Sequence, residues 1–403
     1  SEEHKKSLSN TRKKLYEEGA LKINCAKGVN LVFPNGETEY FDSLKKFEVK
    51  YKTSRINFMI FSLKKNLLPA IFLLFTICLV IFSKTNLAAA KNGLVLWANN
   101  VVPSLLPFFI ATELLSYTNV VNVLGKLLNP IMKPIFNVPG VGSYAFLMGI
   151  ISGYPTGAKI VCNLKEQGLL TDVEAERLLA FTNNSGPLFI LGTVGVSLFG
   201  NTLIGFLLLL THILSCITVG FLFRFWRKNE KTNYSNLKIN TKSSKTQVNF
   251  SNLGEILGKS ISSSISTIVV IGGFVILFSV ILSILKNSNI IELLASIIFP
   301  IFKLFGIQDF NFCISFISGI LELTNGVMGI SAIPCKNISI NIILSSFLLG
   351  FAGISILLQV YSIISKSNIS IKPYIIGKFL HGTFAAVYTF LLITYLPIFN
   401  FNL

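Results

Sequence analysis

Residues 178–223 read LLAFTNNSGPLFILGTVGVSLFGNTLIGFLLLLTHILSCITVGFLF, a stretch without a single Asp, Glu, Lys or Arg. A helix needs about 18 or more apolar residues to cross a bilayer, so this stretch is long enough for two crossings. Further stretches free of these charged residues are each long enough for one crossing, and they span residues 66–83, 134–158, 260–285, 337–365 and 379–403. The pattern predicts an all-α polytopic integral membrane protein.

The composition of the 403-residue chain agrees with this class. It is 52% hydrophobic and 13% charged, whereas soluble domains carry about 25% charged residues. Its net charge of +17 is explained by Lys and Arg in cytoplasmic loops, so no nucleic-acid partner is expected. The six cysteines and three histidines lack the spacing of disulfides or metal ligands. No nucleotide or catalytic motif is present either, so we expect no cofactor, no metal and no enzyme activity.

The first 65 residues form a polar, basic extension that we place in the cytoplasm. Residues 29–33 and 38–41 flank the turn sequence PNGE, which is a hairpin signal. Helical runs follow at residues 44–51 and from Arg55. Two interpretations stay open. The extension is a small α+β module resembling the DNA-binding motifs appended to homing endonucleases, or it is solvated and disordered, which we favour.

The remainder of the chain is organised around an internal repeat. Residues 66–83 are predicted to be the first transmembrane helix, and residues 226–252 a cytoplasmic linker between the repeats at 90–225 and 253–398. Two blocks recur in the same order: LL at 127 and PIF at 134 recur with the same spacing at 293 and 300, and the block FLMG at 146 recurs as FISG at 316. The chain is therefore predicted to hold two related halves, with about 8–10 membrane-embedded helical segments.

Loop charges predict that the two halves are inverted relative to each other. In half one, residues 192–201 before the last helix carry no Lys or Arg, and Arg224 and Arg227 follow that helix. In half two, no basic residue follows the last helix, and three lysines precede its apolar part: Lys366, Lys372 and Lys378. Because basic residues stay in the cytoplasm, the equivalent helices run in opposite directions. Inverted repeats are typical of alternating-access transporters.

Each half contains an apolar segment interrupted by helix-breaking residues. The segment in half one is GIISGYPTGAK at residues 149–159, and the one in half two is GILELTNG at residues 319–326. Backbone that breaks at membrane depth leaves N–H and C=O groups unpaired, which is tolerated only beside protein or a water-filled cavity. We predict a substrate site at these breaks; kinks that only improve helix packing are the alternative.

A third polar break, FTNNSGP at residues 181–187, follows a helix that begins at Thr171 with a capping box to Glu174. The charges of that helix predict that it lies at the membrane surface. The break then re-enters the membrane, or forms a loop between two spans. The predicted substrate-binding residues of the three breaks are Ser152, Gly153, Tyr154, Pro155, Thr156, Gly157, Lys159, Asn183, Asn184, Ser185, Glu322, Thr324 and Asn325.

Lys159 and Glu322 are the ionisable residues of the breaks. A charge at the bilayer centre costs about 2.5–3.5 kcal/mol, so neither is expected to face lipid. Lys159 meets a substrate carboxylate or extends to the lipid headgroups. Glu322 binds a proton or cation, pairs with Lys159, or lies at the interface. Glu113 is a weaker candidate, and His212 and His381 are expected to be packing or hydrogen-bonding residues.

At these motifs the sequence resembles a known family. VPSLLPFF at residues 102–109, SGYPTGAK at 152–159 and FTNNSGP at 181–187 are similar to the YlbJ (SpoVV) family of sporulation integral membrane proteins. That family contains the nucleoside-recognition Gate domain, duplicated as here. The resemblance covers residues 66–398 and leaves the first 65 residues outside it.

The resemblance implies a protein of the outer forespore membrane that moves dipicolinate, a small aromatic dicarboxylate, from mother cell to forespore. Its partners are then this anion, the lipid bilayer and other sporulation membrane proteins. A dianion fits the predicted site, because Lys159 and half-helix N-termini attract negative charge. Two other functions stay open: transport of a nucleoside or another solute, and a non-transporting membrane scaffold for spore morphogenesis.

Overall fold

The structure is a computed structural model that describes residues 21–24, 28–32, 38–41, 55–227, 251–334, 338–365, 367, 369–399 and 401. The helical run expected at residues 44–51, and most of the expected linker, lie outside the described residues. The chain divides into two compact units, Ser1–Ile81 and Phe82–Leu403.

The first unit contains a small antiparallel sheet and a long helix. The sheet has three strands in the order β1 (Leu21–Asn24), β2 (Gly28–Val32) and β3 (Thr38–Phe41). The expected hairpin is present as β2 and β3, whereas β1 was not expected. Helix α1 spans Arg55–Ile81. Its start agrees with the helical run expected from Arg55. The run continues unbroken into the predicted transmembrane helix at residue 66, because residues 55–68 contain no Gly or Pro that would end a helix.

The second unit holds both halves of the repeat. Half one consists of α2 (Ser83–Leu96), a π-helical turn (Trp97–Val101), α3 (Val102–Ser116), α4 (Val120–Phe136), α5 (Gly142–Ser152), α6 (Thr156–Glu166), α7 (Asp172–Thr182), a π-helix (Leu188–Leu198) and α8 (Thr202–Phe223). Half two consists of α9 (Leu253–Asn287), α10 (Ile290–Leu304), α11 (Asn311–Leu321), α12 (Leu323–Ser331), α13 (Ser339–Phe351), α14 (Gly353–Ile364) and α15 (Lys372–Tyr395).

The two halves share one order of elements. The run α2–α3 corresponds to α9, and the helices α4, α5, α6 and α7 correspond to α10, α11, α12 and α13. The π-helix corresponds to α14, and α8 to α15. Pro134 and Pro300, which belong to the recurring blocks, both lie near the C-terminal ends of their helices. Both halves thus follow the order of elements that the predicted repeat implies.

The lengths of the apolar helices agree with a polytopic membrane protein. Among the described residues, four helices are long and apolar enough to cross a membrane: Thr202–Phe223, Leu253–Asn287, Ser339–Ile364 and Lys372–Tyr395. Leu67–Ile81 and Ser83–Asn99 add a fifth span if they are counted together. Four shorter apolar helices bring the candidate membrane-embedded segments of the described residues to eight or nine, within the predicted range.

Contacts between the halves are reciprocal. Helix α7 packs against α15, and its counterpart α13 packs against α8. In the same way α6 packs against α14, and α12 packs against the π-helix. His212 of α8 and His381 of α15 occupy corresponding positions, and their ring centroids are 4.3 Å apart. Exchange of contacts between equivalent elements is what an approximate two-fold relation between the halves would produce.

The inverted orientation of the halves stays a prediction with a direct test. Ser197 precedes the last helix of half one, and Lys372 begins the last helix of half two; both side chains are exposed. Cysteines placed at these two positions are expected to react with a membrane-impermeant maleimide from opposite sides of sealed vesicles. Labelling of both positions from the same side would show that the halves are parallel.

Candidate functional site

The break in half one lies between α5 and α6 and packs against the end of α7. Gly153 has φ +79°, and a Cβ added there would lie 2.8 Å from the Gly186 nitrogen. A Cβ at Gly149 or Gly157 would lie 1.8 Å or 2.1 Å from the carbonyl oxygen of Thr182. These distances are far below van der Waals contact. Glycine is required here because two half-helices approach the backbone of a third.

The break at residues 183–187 meets the first one. The hydroxyls of Tyr154 and Ser185 share a hydrogen bond, and the Ser185 N–H donates to Nε2 of His212 at 3.2 Å. Asn183 donates its side-chain amide to the Tyr374 hydroxyl at 2.8 Å. Asn184 donates to the carbonyl of Phe181 at 2.9 Å. Four predicted site residues, Tyr154, Asn183, Asn184 and Ser185, therefore lie in one hydrogen-bonded cluster, which we call the central cluster.

Helix α7, which leads into Asn183 of the central cluster, is buried within the protein. The capping box between Thr171 and Glu174 is present as predicted. The exposure to water expected of its charges is wrong for Glu174, Glu176 and Arg177, which are buried. Arg177 donates to the carbonyl of Trp226 and to that of Asn137, and Glu176 pairs with Arg227 at 3.0 Å. These hydrogen bonds and ion pairs within the protein replace the hydration that the charged side chains would have at a surface.

Lys378 of α15 is the charged member of the central cluster, and it was not predicted. Its side chain is 1% exposed. Its Nζ donates to the backbone carbonyl of Asn183 at 2.8 Å and lies 5.9 Å from the centre of the Tyr154 ring. The carbonyl belongs to the C-cap residue of α7, where a positive charge is favoured by the helix dipole.

Lys378 is one of the three lysines that precede the apolar part of the last helix in half two. The structure buries it inside the protein, so the predicted orientation of half two rests on Lys366 and Lys372. The signal that reveals Lys378 is helical spacing. Tyr374, Lys378, His381 and Thr389 recur at intervals that place them on one buried face of α15.

The break in half two is a single residue, Glu322, between α11 and α12. Its carboxylate accepts hydrogen bonds from the backbone N–H groups of Thr324 at 3.1 Å and Asn325 at 2.8 Å, and from the Asn325 side chain at 2.8 Å. Glu322 thus caps α12, whose N-terminus stabilises the negative charge. Tyr154 packs against the hydrophobic core that contains Leu323, the residue after Glu322, so this break lies near the central cluster.

Lys159 and Glu322 have separate partners. The Lys159 ammonium pairs with Glu113 at 3.2 Å and donates to Ser263 of α9 at 2.9 Å. The Lys159 ammonium therefore has partners within the protein, without the substrate carboxylate or the lipid headgroup that was expected to pair with it. Glu113, the weaker candidate, is its partner. Of the other predicted residues at this end, Ser152 shares a hydrogen bond with Thr112 at 3.0 Å, and Pro155 is the N-cap residue of α6.

Several buried polar atoms around the central cluster have no hydrogen-bond partner among the residues that the structure describes. Leaving such an atom unpaired costs about 1–3 kcal/mol, so a polar ligand that pairs with them gains correspondingly. Both histidines contribute a ring nitrogen, and the breaks contribute acceptor oxygens. The atoms are Thr156 Oγ1, Thr182 Oγ1, Asn183 Oδ1, Asn184 Oδ1, His212 Nδ1 and His381 Nδ1.

Comparison with known proteins gives two findings. The family model Gate, described as nucleoside recognition, matches residues 98–223, a region that contains both breaks of half one. The sporulation integral membrane protein YlbJ of Bacillus subtilis (strain 168) is 38% identical to this chain over 339 residues. That alignment covers 81% of this chain and 82% of the relative.

Proposed function

Because this chain belongs to the family of the sporulation integral membrane protein YlbJ, we propose that it is a transporter of a small organic anion. The anion that we propose is dipicolinate, carried across the outer forespore membrane, with the N-terminus of the protein in the cytoplasm. The protein then acts by moving a solute and not as an enzyme. Its partners are the anion, the bilayer and other sporulation membrane proteins.

The observation that carries this proposal is the position of Lys378. Placing a charge inside a membrane protein costs free energy, so such a charge is found where it contacts a substrate, an ion or a partner charge. Lys378 lies in half two, yet its ammonium meets the broken backbone of half one at Asn183. A Lys ammonium has three N–H donors. One donates to Asn183, and a carboxylate is the natural acceptor for another.

The neighbours of Lys378 suit an aromatic dicarboxylate. The side-chain amides of Asn183 and Asn184, together with the hydroxyls of Tyr154 and Ser185, offer hydrogen-bond donors once a ligand competes for them. The Tyr154 ring offers an aromatic face beside the cation. Binding also occurs where two half-helices and a third helix end meet, as in transporters built from broken helices.

Nucleoside transport is the second candidate, and the match of residues 98–223 to a nucleoside-recognition model favours it. A nucleoside has hydroxyl and amide-like groups that Asn183, Asn184 and Ser185 can bind, but it carries no carboxylate. It therefore does not require Lys378. The charge of the site is what separates the two candidates.

Uptake into liposomes that contain the purified protein tests the proposal. We expect uptake of radiolabelled dipicolinate above that of protein-free liposomes, with competition by other pyridine dicarboxylates and none by nucleosides. The reason is that the buried ammonium of Lys378 can form a strong charge-assisted hydrogen bond with a negatively charged ligand. Uptake that nucleosides inhibit and dicarboxylates do not would replace the first candidate with the second.

A further inference from the structure

A cleft of about 580 Å³ lies between α2, α9 and α12, away from Lys378. Its walls carry many polar groups for a surface between helices of a membrane protein. They come from three elements and include Asn92, Ser279, Ser283, Lys286, Asn287 and Asn325. Asn287 also donates to Thr85 at 2.9 Å, which ties α9 to α2 at the edge of the cleft.

This lining is unsuited to lipid chains. Polar and charged side chains within membrane proteins face the protein interior or a water-filled cavity, because facing hydrocarbon leaves them unpaired. Amides, hydroxyls and one ammonium, distributed over facing walls, are the groups that bind a small anion in water. The charge of Lys286 makes the electrostatic potential of the cleft positive.

The cleft is connected to the candidate site through Asn325. The Asn325 side chain lines the cleft and donates to the Glu322 carboxylate at 2.8 Å. Leu323, the residue after Glu322, belongs to the hydrophobic core against which Tyr154 of the central cluster packs. A solute in the cleft is therefore next to the break in half two.

The opposite end of α9 packs against charged residues of half one. There Ser263 and Thr267 contact Lys159, which pairs with Glu113. Ser263 and Ser283 are about 30 Å apart along the helix at 1.5 Å per residue, which is about the thickness of the hydrocarbon core. One end of α9 thus contacts an ion pair and the other lines an open cleft, an asymmetry expected of a transporter open to one side.

We propose that this cleft is the entrance of the transport path and a first binding site for the anionic solute. Lys286 attracts a carboxylate, and Asn92 and Asn287 hydrogen-bond to it before it passes Asn325. The proposal rests on the proposed transport function.

Cysteine labelling tests this assignment in a variant whose six native cysteines are replaced by alanine. Ser283→Cys places a thiol in the cleft, and Ser288→Cys places one just beyond it on the exposed end of α9. Both thiols are expected to react with a membrane-impermeant maleimide, and dipicolinate is expected to slow only the reaction at position 283. Equal rates at position 283 with and without dipicolinate, or no reaction there, would overturn the proposal.

A charge variant gives a second readout. Lys286→Gln is expected to raise the KM for dipicolinate about tenfold, equivalent to about 1.4 kcal/mol of lost binding, with little change in kcat. Lys91→Gln, an exposed lysine of α2 outside the cleft, is the control and keeps the wild-type KM. An unchanged KM in Lys286→Gln would also overturn the proposal. Protection of position 283 without any uptake by the wild type would support the binding site and contradict transport.

Discussion

Replacing Lys378 with methionine is expected to abolish dipicolinate uptake while the protein still inserts into the membrane. Methionine keeps the length of the side chain and removes its charge. A hydrogen bond to a charged group is worth about 1.5–3 kcal/mol, and each 1.4 kcal/mol is tenfold. Losing one ammonium contact to the anion and the one to Asn183 predicts a fall in kcat/KM of about a hundredfold or more. Initial rates of uptake into liposomes measure it.

The effect on stability is expected to be small, because removing a buried charge relieves its desolvation. Lys372→Met is the matched control, since Lys372 lies on the same helix with an exposed side chain. It is expected to leave uptake unchanged. Wild-type uptake of dipicolinate by Lys378→Met would remove the main support for an anionic substrate.

Replacing Gly149 with alanine is expected to destabilise the protein strongly. The new Cβ would lie 1.8 Å from the carbonyl oxygen of Thr182, a backbone atom that no rotamer change can move away. Helix α5 must therefore separate from the end of α7, and the two breaks of half one move apart. The loss is expected to exceed the roughly 1–3 kcal/mol that overpacking usually costs. Thermal unfolding of the detergent-solubilised protein measures it.

Gly258→Ala is the control for this substitution. Gly258 is also helical, in α9, but no atom of the described residues lies within 4 Å of an added Cβ. Alanine there is expected to stabilise the protein by about 0.5–1 kcal/mol through its better helix propensity. An equal melting temperature for Gly149→Ala and the wild type would show that α5 and α7 are not packed as closely as the structure has them.

Sequence reasoning identified the parts of the candidate site whose signal is local. The breaks at residues 153–155 and 183–187 contain Gly, Pro and Asn, which interrupt helices wherever they occur together. The capping box at Thr171 is a signal of the same kind. The partners of Lys159 and Glu322 were left open, because the spacing of residues within one segment says nothing about which other segment packs on it.

The charge pattern of α7 shows why a local signal can mislead. Glu174, Glu176 and Arg177 predict a helix at the membrane surface, and the structure buries all three. Their partners include Asn137, Trp226 and Arg227, which are distant in sequence. Burial of a charged residue depends on whether such partners arrive, and this is decided by packing.

The sequence by itself determined that residues 178–223 and the similar stretches belong in a membrane, and that the chain consists of two related halves. The free energy of transferring a segment into lipid is approximately the sum of contributions from its residues. A repeat is found by comparing one segment with another. Both can therefore be read from the order of residues. Only the tertiary structure decided that Lys378 meets Asn183, 195 residues away. That contact depends on which face of α15 turns toward α7, and the long-range packing of the two halves sets it.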